Sequence, residues 1–180
     1  MKTRNRVLAC LAGLAVTGLA LAAPVLAETP AELNDLQMAH VAYVADNIDI
    51  RQAHLALALS DNAEVRAFAD TMISDHTAVN EQALALLKKL GAEPEDNFLS
   101  QTLLTNAAKT MSDLSALKGA DFDKAYAANE LAYHQAVNGI VGNDFIPNIE
   151  NAEVKALFEA GLEIFKAHET HAGMMVEALK

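Results

Sequence analysis

The stretch AEVRAFADTMISDHTAVNEQALALLKKLG, residues 63–91, decides the fold. Within it Val65, Phe68, Met72, His76, Val79, Ala83, Leu86 and Leu90 recur every three or four positions until Gly91 stops the run. That period lines one side of an α-helix with apolar groups, as a rod packed against other rods requires. Ser60 or Asp61 is the expected cap at its start. One position in the row is out of character: His76 stands where a bundle core normally takes Leu.

Working outward, Ala31 to Leu59 holds no Gly or Pro, is rich in Ala and Leu, and reads as a first helix. After the turn Glu93-Pro94-Glu95-Asp96, a shorter helix is expected from Phe98 to Leu117, carrying Leu99, Leu103, Leu104, Met111 and Leu114. Gly119 breaks it and Asp121 is the expected cap of the next helix, which runs to about Val141 before Gly142-Asn143-Asp144 and Pro147. A last helix, from about Asn151 to Leu179, sets Val154, Phe158, Gly161, Phe165, His168, Ala172 and Met175 on one face. No strand pattern is present after the leader. Four long helices and one shorter one, joined by brief turns, predict an all-α antiparallel helical bundle.

Residues 1–27 read differently. Lys2, Arg4 and Arg6 precede an apolar run from Val7 to Ala23, and Val25-Leu26-Ala27 forms a small-residue cleavage site, so a secretory signal peptide cut after Ala27 is expected. Cys10 lies too close to the charges to follow an apolar signal core, which argues against lipid attachment there. Residues 28–180 are then a single exported domain, periplasmic or secreted, without a transmembrane segment and without a cysteine. Loss of the three leader cations takes the basic count from 13 to 10 against 24 acids, and the formal charge from -11 to -14. Such a chain is not built for nucleic acid or anionic lipid, and a protein of the cell envelope is the expected kind of partner.

The chemistry-bearing residues sit on the apolar faces. Asp75 flanks His76; Glu130 and His134 are one turn apart on the fourth helix; His168 is central on the last helix, with His171 three residues on. Counted from the turns, His76 lies about 15 residues below Ser60, Glu130 and His134 about 13 to 17 above Pro147, and His168 about 17 below Asn151, so an up-down bundle brings them to overlapping heights. Asp46 and Asp49 of the first helix reach a similar level, although the helical count turns Asp49 away from that helix's main apolar face. Neutral imidazoles with carboxylates at one level can ligate zinc, copper or iron. Core histidines that merely hydrogen-bond to a carboxylate or carbonyl are the rival reading. His40, Asn47 and His54 share a seven-residue row on the first helix and read as polar pins of register.

The segments Val65-Arg66-Ala67-Phe68-Ala69 with Met72 and Asp75-His76-Thr77, then Leu117-Lys118-Gly119-Ala120-Asp121-Phe122-Asp123-Lys124-Ala125-Tyr126 with His134, resemble the bacterial family called domain of unknown function 4142. The resemblance spans nearly the whole chain after the leader. It implies an exported, ferritin-like helical bundle and no established activity. By position, Asp75, His76, Tyr126, His134 and His168 match residues typical of that family. Asp49 stands where the family tends to have Glu, one methylene shorter in reach, and Glu163 where Pro often follows Leu162. The label often given to the family, predicted outer membrane protein, does not fit a chain without alternating strands.

Three functions follow. The first is an envelope structural or interaction module with inward polar networks and no turnover. The second is a bundle that binds a metal ion or small ligand through His76, His134 and His168, with Glu130 or Asp75 as oxygen partners. Met72 and Met175, one turn from His76 and His171, add a conceivable copper(I) variant. The third, a ferritin-like di-metal oxidase, requires two Glu-x-x-His pairs. Three residues before His40, His54, His76, His134, His168 and His171 stand Gln37, Arg51, Ile73, Leu131, Phe165 and His168, so the pairs are lacking. There is no nucleophile with an adjacent base and no glycine-rich phosphate loop. His168-Glu169-Thr170-His171 is one residue short of a zinc-protease pattern, and no hydrolase activity is expected.

Overall fold

A computed structural model describes residues 29–180; the expected signal peptide, its expected cleavage site and Cys10 lie outside the described residues. Five α-helices follow in order: α1 (Asp35–Leu59), α2 (Ala63–Leu90), α3 (Phe98–Ser115), α4 (Gly119–Ile140) and α5 (Ala152–Ala178). A 3-10 turn, Pro30–Glu32, precedes them, and a π-helical turn, Val141–Phe145, extends α4. Among the described residues there is no strand, so the all-helical reading holds.

Asparagine starts most of these helices. The side-chain oxygens of Asn34, Asn62, Asn97 and Asn151 each accept two of the first free backbone N–H groups of α1, α2, α3 and α5. Two expected caps are thereby corrected. Ser60 does not cap α2 because its hydroxyl donates to Asp123 of α4 instead, leaving the duty to Asn62. Asp121 does not cap α4, which begins two residues earlier after Lys118, where Gly119 takes the left-handed conformation that ends the preceding turn. Gly91 closes α2 in the same left-handed state. The first helix starts at Asp35 rather than Ala31, since Asn34 is extended and caps it.

Cross-helix pairs fix the directions. Asp46 meets His76, so α1 and α2 run opposite ways about the Ser60 turn. Ala45 with Tyr133 and Gln52 with Asn129 set α1 antiparallel to α4. Asp75 with His168 and Lys89 with Glu153 do the same for α2 and α5, and Asn138 with Phe165 and Lys124 with Lys180 for α4 and α5. The N-termini of α1 and α5 therefore share an end, where the Asp35 carboxylate accepts from the backbone N–H groups of Glu150 and Asn151. α3 lies mainly against α1 and buries only Leu99, Ser100 and Leu114. No described helix is long and apolar enough to cross a membrane.

Two apolar clusters fill the interior. One gathers Phe68, Met72, Phe122, Tyr126, Ala172 and Met175; the other gathers Met38, Val41, Val141, Phe145, Phe158 and Leu162. The α2 row behaves as its period predicts from Val65 to His76; beyond it the buried line moves to Asn80 and Leu87, and Leu90 is exposed. Between the two clusters lies a layer of a different kind.

Candidate metal centre

That layer is made by one or two side chains from each of α1, α2, α4 and α5. His76, His134 and His168 arrive on three helices, and their rings form a nearly equilateral triangle with centroids 5.7, 5.3 and 5.5 Å apart. Asp49 from α1 and Glu130 from α4, both 0% exposed, complete it. Glu130 reaches the layer because it precedes His134 by one helical turn.

Each imidazole has an outer nitrogen with a partner. His76 Nδ1 lies 2.7 Å from Asp46, His134 Nδ1 lies 3.0 Å from the Glu130 carbonyl, and His168 Nε2 lies 3.0 Å from Asp75. An outer N–H donated to these oxygens orients each ring, and in a neutral imidazole it leaves the other nitrogen as a bare lone pair. Those other nitrogens, His76 Nε2, His134 Nε2 and His168 Nδ1, are buried without a hydrogen-bond partner, and so are both carboxylate oxygens of Asp49 and of Glu130. Asp49 Oδ2 stands 3.2 Å from His76 Nε2 and 3.4 Å from His134 Nε2, close but out of line for a hydrogen bond. Buried polar atoms are normally paired, so unpaired ones concentrated at a single point ask for a shared partner.

The structure brings together four of the five residues expected at such a site, His76, Glu130, His134 and His168. The fifth, Asp75, is half-buried on the far side of His168, where it can orient the ring but does not face the centre. Asp49 is the reverse case. The helical count turned it outward, yet it is central, because α1 is covered by α2, α3 and α4 and has no single buried face. Its signal in the sequence is that Asp46 and Asp49 are the only charges between Leu36 and Ile50. His171 packs its ring against Phe68, Met72 and Met175 belong to the apolar cluster, and none of them joins the centre. The register pins fare no better: His54 is exposed and Asn47 donates to the Tyr43 carbonyl of its own helix.

The electrostatics follow from depth. Burial alone would drive the His76 imidazolium to lose its proton, but the Asp49 and Asp46 carboxylates outweigh it and push its pKa up to about 10. Burial likewise works to protonate Asp49, and the charge and contact of the His76 imidazolium lead the attractions that overcome this and hold it below the usual carboxylate value. Glu130 is pushed well above its ordinary value by burial and then by the Asp49 charge. Burial lowers His134 and His168, which keeps them neutral, the form in which imidazole binds metal.

The donors fall into two groups that share His134. The inward atoms of His76, His134 and His168 lie within 4.8 Å of one another, as do those of Asp49, Glu130 and His134. A tetrahedral ion with bonds of about 2.0–2.1 Å holds its donors about 3.3–3.4 Å apart, which is close to the spacing between Asp49 and the two Nε2 atoms. A void of about 10 Å³ borders the layer, walled in part by Asp49, His76, His134 and Phe165. No curated protein and no solved structure matches the chain. Over residues 20–175 it matches the family described as Domain of unknown function (DUF4142), and it belongs to that family.

Proposed function

We propose that this protein is an exported, ferritin-like helical bundle that holds one divalent transition-metal ion, with zinc, copper and iron as the ions its donors suit. The ligands are His76 Nε2, His134 Nε2, His168 Nδ1 and Asp49, with Glu130 as the adjoining carboxylate. Asp46, the Glu130 carbonyl and Asp75 aim the rings. One observation carries this reading: every outer imidazole nitrogen is partnered, while every inner nitrogen and the carboxylate oxygens facing it are not. Three neutral imidazoles, the Asp49 and Glu130 carboxylates and a dication sum to zero, and the buried Asp46 carboxylate adds one further negative charge beside His76. Export rests on the leader read in residues 1–27.

The donor set favours one ion over two. A di-iron centre of the ferritin type takes four carboxylates and two imidazoles, whereas the carboxylates facing inward here are Asp49 and Glu130.

Elemental analysis of the protein isolated from the cell envelope tests the reading. About one equivalent of a transition metal is expected, falling away in His76→Ala and His134→Ala, and less than about half an equivalent of any such metal removes the proposal. A second reading, a structural module pinned by a buried ion network, is favoured by one contact: His76 lies between Asp46 and Asp49. Under it, chelator leaves the melting temperature unchanged and His168→Leu preserves or raises it.

A further inference from the structure

Above the centre, a second and larger cavity of about 40 Å³ runs between α1, α2, α5 and the junction of α4 with its π-helical turn. Ala45, Asp46, Val137 and Phe165 wall both this cavity and the small void at the centre, so the two are neighbours separated by side chains alone. Of these shared walls, Phe165 stacks its ring on His76 at 4.7 Å with the planes 8° apart. The space exists because Ala42, Ala83 and Gly161 stand where a bundle would ordinarily place larger residues. A Cβ on Gly161 would already touch Phe165 at 3.6 Å and Val79 at 3.9 Å. One buried polar group looks for company there: Asn80 lines the cavity and its Oδ1 has no partner.

We propose that this cleft is the entrance to the metal centre and admits a single small uncharged ligand, a diatomic gas of the dioxygen and nitric oxide class, with Phe165 as the gate. The proposal rests on the metal reading above. Size argues for it, because pockets for organic ligands are about 300 Å³ or more. The lining argues for it too. Val79, Val141, Leu157 and Phe158 offer an ion nothing in exchange for its hydration, and the Asp46 carboxylate at the inner end turns anions away. Apolar cavities of this kind stay dry and take up apolar gases. The side-chain NH2 of Asn80 can donate one hydrogen bond to a bound diatomic without requiring that it be charged.

Two probes separate this inference from the metal reading. With dissolved xenon, the metal-free full chain should give a bound-gas signal in xenon nuclear magnetic resonance, lost in Gly161→Leu. Should that variant fail to fold, Val79→Phe fills the cleft from the opposite wall. With the iron(II)-loaded chain, capture of nitric oxide, read by electron paramagnetic resonance, should slow by at least about tenfold in the same variants at unchanged iron content. Azide should be captured more slowly than nitric oxide by the wild type. An absent xenon signal, a rate of nitric oxide capture indifferent to both variants, or azide capture as fast as that of nitric oxide overturns the entrance. Xenon uptake by a chain that binds no metal overturns the metal reading and the entrance together.

Discussion

Around Phe68, Met72, Phe122, Tyr126, Ala172 and Met175 the interior is built of apolar side chains, whereas a turn or two along the same helices, at His76, Glu130, His134 and His168, it is built of nitrogen and oxygen donors. The helices do not change between these levels, and neither do the faces they turn inward. The difference is what each layer gives the protein. Carbon layers supply stability through burial; the polar layer costs free energy unless its inner atoms find a partner. A bundle can hold such a layer only because apolar packing closes over it from both sides, the second seal being the cluster around Phe145, Phe158 and Leu162.

The widest gap between the layers should show in Phe68→Ala, which removes a fully buried ring from the apolar one. Denaturant unfolding should record a loss of about 3–5 kcal/mol, while metal content per folded chain stays at the wild-type value. A matching loss of metal would mean that the layers are not separable. Asp49→Asn tests the other layer with nearly the same shape and one charge fewer. Its metal affinity, by competition with a chelator, should fall by more than the about 100-fold that an outer partner costs at most. Asp75→Asn probes such a partner, and a drop of about 10- to 100-fold, roughly 1.4–2.7 kcal/mol, is expected. An unchanged affinity would show that the contact with His168 is incidental.

A slope with pH is expected as well, and its sign distinguishes the two readings. His76 has a folded pKa of about 10 against an ordinary 6.5, because Asp49 and Asp46 overcome its burial. Its ionised form therefore stabilises the metal-free chain fully below 6.5, and that contribution is lost as pH rises through about 10. Melting of chelated protein should weaken from neutral pH toward 10, and His76→Gln should flatten the slope. With metal the trend reverses, since the ion must displace protons from His76 and Glu130 and binds better as pH rises. One slope in both states would mean that no ion enters the layer.

The readable part of this molecule was the part with one-sided helices. α2 from Val65 to His76 and α5 from Val154 to Met175 each face a single core, so their period told which residues go in, His76 and His168 included. α1 faces several neighbours, and on such a rod a row of apolar residues does not mark one direction, which is why the helical count turns the fully buried Asp49 outward. Asp75 was misplaced more narrowly. It adjoins His76 in the chain, but its contact is with His168 on another helix, and neighbours along a helix point about 100° apart. The helix starts failed at Ser60 because a hydroxyl that could cap is also free to bond across the bundle, and the Asp123 carboxylate was the stronger claim.

The position of α3 carries one more consequence. By lying along α1 while burying few of its own residues, it shields the rod that bears Asp46 and Asp49 and is itself weakly held. Deuterium should accordingly enter the amides of α3 early and those of α1 near Asp49 late, so that a fully buried carboxylate rides on a slowly opening backbone.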